Sequence, residues 1–112
     1  LESLAVAEPV NLPVLASGGV RSPLDVVRAL ALGASAVGVS GHFLRTLVSG
    51  GADALRHELH AWTDQVRTLM ALLGAPDVEQ LRRTDVLVTG RTAEKARLLG
   101  VDLEALAHRS AR

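Results

Sequence analysis

LASGGVRSPLDV, residues Leu15–Val26, decides how this chain is read. A short apolar run (PVLAS, Pro13–Ser17) ends at Gly18 and Gly19, which predicts a buried strand followed by a tight turn. Ser22 then predicts a helix N-cap, with Pro23 at the first helical position and Asp25 three residues after the cap. These residue types supply a hydroxyl for an orphan amide, a pre-set φ and a carboxylate at the positive end of the helix dipole. Leu24, Val27, Leu30 and Ala31 give the helix its apolar face, and Gly33 ends it. SAVGVS (Ser35–Ser40) is the next strand. A strand, a crossover helix and a second strand at this spacing form a βαβ unit with parallel strands.

Downstream, GHFLRTLVSGG predicts a short helix ending at Gly50 and Gly51. A long amphipathic helix follows over Ala52–Leu73, its apolar positions Leu55, Leu59, Trp62, Val66, Leu69, Met70 and Leu73 alternating steps of four and three. Gly74 stops it, and Asp77 with Gln80 resembles a capping box for another short helix. DVLVTG (Asp85–Gly90) reads either as a short strand or as an extended segment, before two small helices near Ala93–Leu99 and Leu103–His108.

Composition bounds the rest. The 112 residues are 48% apolar and 21% charged, with zero formal net charge and no cysteine. This is one globular domain at most, without a disulfide framework or thiolate chemistry. Zero net charge gives no support for a nucleic-acid or membrane-surface partner. No stretch reaches the roughly 18 apolar residues of a membrane span. The opening residues carry no basic segment ahead of an apolar core, so no signal peptide is read, and a cytoplasmic setting is expected. The first residue is Leu, so the chain is expected to be a piece of a longer protein.

The glycines admit two readings. In one, Gly18 and Gly19 only turn the chain; in the other, they open the backbone to an anion. Outward-facing amides at a helix start and the fork-shaped cation of Arg21 suit a phosphate. Neither the P-loop ending nor the third glycine of a dinucleotide fingerprint is present. VGVSGHF also ends in a small-residue turn before a helix. Two parallel strands would thus present adjacent turns on one side, as in the phosphate site of a (β/α)8 barrel, built from the loops after strands seven and eight.

Other residues also admit a functional and a structural reading. His42 could touch phosphate or simply lie half-exposed in the first turn of its helix. His57 and His60 stand near metal-ligand spacing but lack a third ligand, so no metal site is read there. Trp62 and Met70 belong to the core stripe. The acidic residues are scattered on polar faces or at caps, and Arg82 with Arg83 reads as a helix surface.

LPVLASGGVRSPLDVVRALALGASAVGVSGHFL resembles the end of FMN-dependent (β/α)8 barrels. In α-hydroxy-acid oxidases and inosine-monophosphate dehydrogenase the residue before the two glycines is usually Asp; here it is Ser17. ELHAWTDQVRTLMALLGAPDVEQLRRTDVLVTG and LGVDLEALAHR are similar to the closing segments of the type 2, FMN-dependent isopentenyl-diphosphate Δ-isomerases. The resemblance implies an α/β fold in which residues 1–112 are the C-terminal fragment of a single FMN-binding TIM barrel, about strands 7 and 8 plus the closing helices. It implies the interconversion of isopentenyl and dimethylallyl diphosphate with reduced FMN and Mg²⁺, NADPH being able to supply the reduction. The FMN phosphate contacts fall on Gly19, Val20 and Arg21, with Ser40 and Gly41 from the second loop. Position 41 is often Arg in relatives, so Gly41 removes a cation there. The family's substrate and metal residues lie on earlier strands, so no catalytic or metal residue is assigned here. The implied partners are the flavin and a diphosphate substrate, with a homo-oligomer expected for the full-length protein. The alternatives are the same part of another FMN barrel, such as an α-hydroxy-acid oxidase, or a non-catalytic α/β fragment that binds a phosphorylated ligand.

Overall fold

A computed structural model describes residues 12–111. The opening segment, in which no signal peptide is read, lies outside the described residues, as does Arg112. Two strands, β1 (Leu15–Ala16) and β2 (Ala36–Val37), pair in parallel with Leu15 opposite Ala36 and Ala16 opposite Val37. Helix α1 (Pro23–Ala31) connects them, completing the βαβ unit. Helix α2 (Gly41–Leu72) follows, then the short α3 (Val78–Leu81), α4 (Gly90–Leu98), α5 (Leu103–Ala107) and a 3-10 turn at Arg109–Ala111. The described chain is therefore mostly helical, with a two-stranded parallel sheet.

Local chemistry sets the helix ends. Ser22 is the N-cap of α1, and its hydroxyl accepts the Asp25 N–H at 3.3 Å. At the other end the Gly33 N–H reaches the Leu30 carbonyl and the Ala34 N–H reaches Ala29, the double bond of a Schellman motif. The second half of α2 closes in the same way, through Gly74 to Ala71 and Ala75 to Met70. In both motifs the residue after the glycine is a buried alanine, Ala34 or Ala75, so each helix stop also seals an apolar contact. Asp77 caps α3 by accepting the Gln80 N–H at 2.8 Å.

The core lies where α1, α2 and α3 meet. Val27, Ala31, Ala75 and the fully buried Leu81 form its centre, with Leu30, Val66, Leu69 and Met70 packed around them. Arg82 donates to the Ala34 carbonyl at 2.9 Å, tying α3 to the end of α1. Arg109 straps the C-terminal residues down, donating from Nε to the Thr84 carbonyl at 2.8 Å and from Nη1 to the Ala31 carbonyl at 2.9 Å. DVLVTG takes the extended alternative rather than a strand, with the Val86 N–H bonded to the Leu106 carbonyl at 2.8 Å.

Two expectations about the strands need correction. Both are shorter than the apolar runs that predict them, because among the described residues each has only the other to pair with. Nor is β1 buried: Leu15 is 74% exposed, since no described element covers that face.

The long helix turns sharply. Gly51 sits at φ 80° and ψ −173°, a left-handed backbone that a side chain would strain. In a straight helix, His42 and Trp62 would stand about 30 Å apart. Their ring centroids are instead 5.1 Å apart, so the chain reverses at Gly51 and folds the second half back over the first.

Candidate functional site

The two turns converge on one concave cleft of about 370 Å³ at the ends of the strands. The first turn contributes Gly18, Gly19, Val20 and Arg21. The second contributes Gly38, Ser40 and Gly41, while His42 and Arg45 come from the first turns of α2. All five residues predicted to contact a phosphate thus line the same space.

Backbone geometry explains why these residue types stand there. Gly18 and Gly19 both have positive φ, 79° and 72°, and a Cβ on either would meet nothing within 4 Å. The first turn is therefore left-handed, with open space beside its backbone. Gly38 lets the two strand ends approach closely: a Cβ there would stand 3.4 Å from Cβ of Ser17. The Gly38 N–H donates to the Ala16 carbonyl at 2.7 Å, fixing the spacing of the turns.

The two helix starts beside the cleft differ. At α1 the Arg21 N–H donates to Asp25 Oδ2 at 3.0 Å, in addition to the Ser22 cap. The Arg21 N–H holds the Asp25 carboxyl below its ordinary pKa, with Ser22 and Arg28 adding to the effect. The Arg21 amide thus serves Asp25, and α1 is closed by its own side chains. At α2 the N-cap Ser40 makes no side-chain capping bond. Its hydroxyl and the first-turn amides of α2 remain available to an anion. Among the described residues no carboxylate lies within ion-pair distance of Arg21 or Arg45.

Behind the cleft, the reversal at Gly51 brings Glu58 and Trp62 onto His42 and Phe43. Trp62 Nε1 donates to Glu58 Oε1 at 2.8 Å, and the same oxygen lies 3.6 Å from His42 Nε2, too far for a hydrogen bond. Phe43 meets Trp62 edge-on at 4.9 Å. His42 lines the cleft and is half-exposed in the first turn of its helix. His57 and His60 are exposed on α2, and among the described residues no group of three potential ligands could hold a metal ion.

Sequence reading missed Arg45 and Glu58. A signal for Arg45 was present: it is four residues from Gly41, so one helical turn brings it back over the second loop. Glu58 carried no such signal, because only the reversal at Gly51 places it.

A Gly-rich strand-end cleft with two arginines and a helix start without a side-chain cap has the features that suit an anion. The family model for FMN-dependent dehydrogenases matches residues 1–88, and the chain belongs to that family. It is 52% identical over 104 residues to a protein of Nocardia farcinica named isopentenyl-diphosphate delta-isomerase, covering 93% of this chain and 29% of that protein. A Streptomyces protein of the same name is 54% identical over 104 residues, with the same coverage. One from Listeria welshimeri is 41% identical over 111 residues, covering 96% of this chain and 31% of that protein. The chain thus spans less than a third of the length of these relatives. Among the described residues no helix is long and apolar enough to cross a membrane.

Proposed function

We propose that this chain is the C-terminal part of a single FMN-binding (β/α)8 barrel, supplying strands 7 and 8 and the closing helices. We further propose that the full-length protein interconverts isopentenyl and dimethylallyl diphosphate. The observation that carries the reading is the convergence of both glycine turns, Arg21 and the uncapped start of α2 on one cleft. The residues present fit the phosphate end of FMN. The left-handed turn leaves open space where side chains would stand, and the donors are cationic or backbone amides.

Gly19 and Val20 would offer backbone amides from the first turn, and the Arg21 guanidinium a charge-assisted bond. Ser40 and Gly41 would close the site from the second strand, through a hydroxyl and a helix-start amide. When bound, the reduced flavin supplies the reactive ring system, and this chain anchors it at its phosphate end. Anchoring a remote group of a ligand restricts the position of its reacting part and so lowers the entropic barrier. Ser17 before the glycines, and the closing segments, favour the isomerase over an α-hydroxy-acid oxidase. The Mg²⁺ and NADPH requirements, a cytoplasmic setting and a homo-oligomer belong to the same proposal for the whole protein.

The test supplies the full-length protein with FMN, a reductant, Mg²⁺ and isopentenyl diphosphate, and in parallel with 2-hydroxy acids and an electron acceptor. Dimethylallyl diphosphate should form in the first assay. Turnover of a 2-hydroxy acid with no isomerisation would replace this reading by the oxidase one.

A further inference from the structure

The resemblance assigns the phosphate site one arginine, and the second loop carries glycine where a cation could stand. The geometry points to a second cation from another place: Arg45 completes the phosphate site from one turn along α2 and makes it selective for a phosphomonoester. This inference rests on the FMN reading above. A Cβ on Gly41 would stand 3.6 Å from Nη1 of Arg45. The guanidinium therefore lies where a side chain at position 41 would begin, beside the uncapped helix start. Arg45 lines the same cleft as Arg21, from the opposite turn.

The carboxylates of Asp25 and Glu58 are engaged elsewhere. Asp25 accepts the Arg21 N–H, and Glu58 accepts the Trp62 indole N–H. Thr46 and Ser49 turn their hydroxyls to backbone carbonyls of the same helix and do not compete for the guanidinium. With the Arg21 guanidinium turned toward the same cleft, the two cations would repel each other unless an anion lay between them. A phosphomonoester carries close to two negative charges near neutral pH and can accept from both. A neutral ligand satisfies neither. Gly41 has a structural role here beyond its backbone donor: a large side chain at that position would occupy the space the guanidinium now fills.

The experiment titrates FMN and riboflavin into the full-length protein by flavin fluorescence. The proteins compared are the parent, Arg45→Leu, Arg45→Lys and the double variant Arg45→Leu with Gly41→Arg. Arg45→Leu should weaken FMN by about tenfold, as expected for a partly exposed charge-assisted bond, and leave riboflavin within about twofold. Arg45→Lys should keep most of the affinity. Gly41→Arg should restore FMN binding in the Arg45→Leu background by returning a cation to the same space. Equal loss of both flavins, no loss of either, or failure of the double variant to recover would overturn the role of Arg45. A parent protein that binds riboflavin as tightly as FMN would instead overturn the underlying phosphate-site reading.

Discussion

Leu81→Ala tests whether the junction of α1, α2 and α3 supports the cleft. Leu81 is fully buried and sits against Val27, Ala31 and Ala75, which are 3%, 7% and 3% exposed. Truncation removes apolar burial and leaves a cavity that α1, the long α2 and the Gly74 turn, each held by its own packing, do not close by moving. The α3 helix has only four residues and can shift inward, so the cost falls in the lower part of the usual Leu→Ala range, about 3 kcal/mol. In a protein of the relatives' size, roughly 350 residues, an unfolding entropy of about 2.1 cal/mol/K per residue makes that a fall in Tm of about 4 °C. Thermal and urea unfolding of the full-length protein, followed by circular dichroism, read the change. Leu81→Met, which keeps the volume, should cost less than about 1.5 kcal/mol. The neighbouring Arg82 bond to Ala34 ties this core to the chain entering β2, so FMN affinity should fall modestly with stability. A Leu81→Ala protein within about 1 kcal/mol of the parent would show that the junction does not hold the structure together.

The other predictions concern the site, the acid limit and the chain by itself. Arg21→Ala in the full-length protein should weaken FMN by about tenfold to a hundredfold and leave riboflavin nearly unchanged, given about 1.4 kcal/mol per decade; equal effects on both would reduce the glycine turn to a structural role. The Asp25 carboxyl is held below its ordinary pKa by the Arg21 N–H, and that of Asp85 by the Ser110 N–H. Each therefore contributes stability that is fully present above its unfolded pKa and is lost as pH falls through its lower folded pKa. Asp25→Asn with Asp85→Asn should flatten the acid limb of the melting-temperature profile, and an unchanged limb would refute the assignment. The purified 112-residue chain should self-associate in size-exclusion chromatography, because Leu15, Leu72, Leu87 and Leu98 are 74%, 78%, 80% and 87% exposed. A sharp cooperative melt of a monomer would contradict this. The same chain should show no isomerase turnover above a no-enzyme control, since the resemblance places the substrate residues on earlier strands.

The sequence by itself determined the parts whose causes are local. Ser22, Pro23 and Asp25 mark the start of α1, Gly33 and Gly74 mark helix stops, and Asp77 caps α3. Each acts on backbone groups within five residues, and that distance along the chain is visible in the letters. The two glycine turns were legible for the same reason, and parallel strand pairing placed them side by side. Tertiary structure decided the remainder. Gly50 and Gly51 announced a helix end, but only the fold shows the chain reversing there to set Glu58 and Trp62 behind His42 and Phe43. Residue spacing placed a carboxylate in the first turn of α1; only the tertiary structure shows that it takes up the Arg21 amide, while α2 starts without a side-chain cap. Helical periodicity likewise says which residues share a face and nothing about what that face meets. Arg45 could therefore be placed above Gly41 by counting, while its position in a common cleft with Arg21 depends on how two strands and two helices pack.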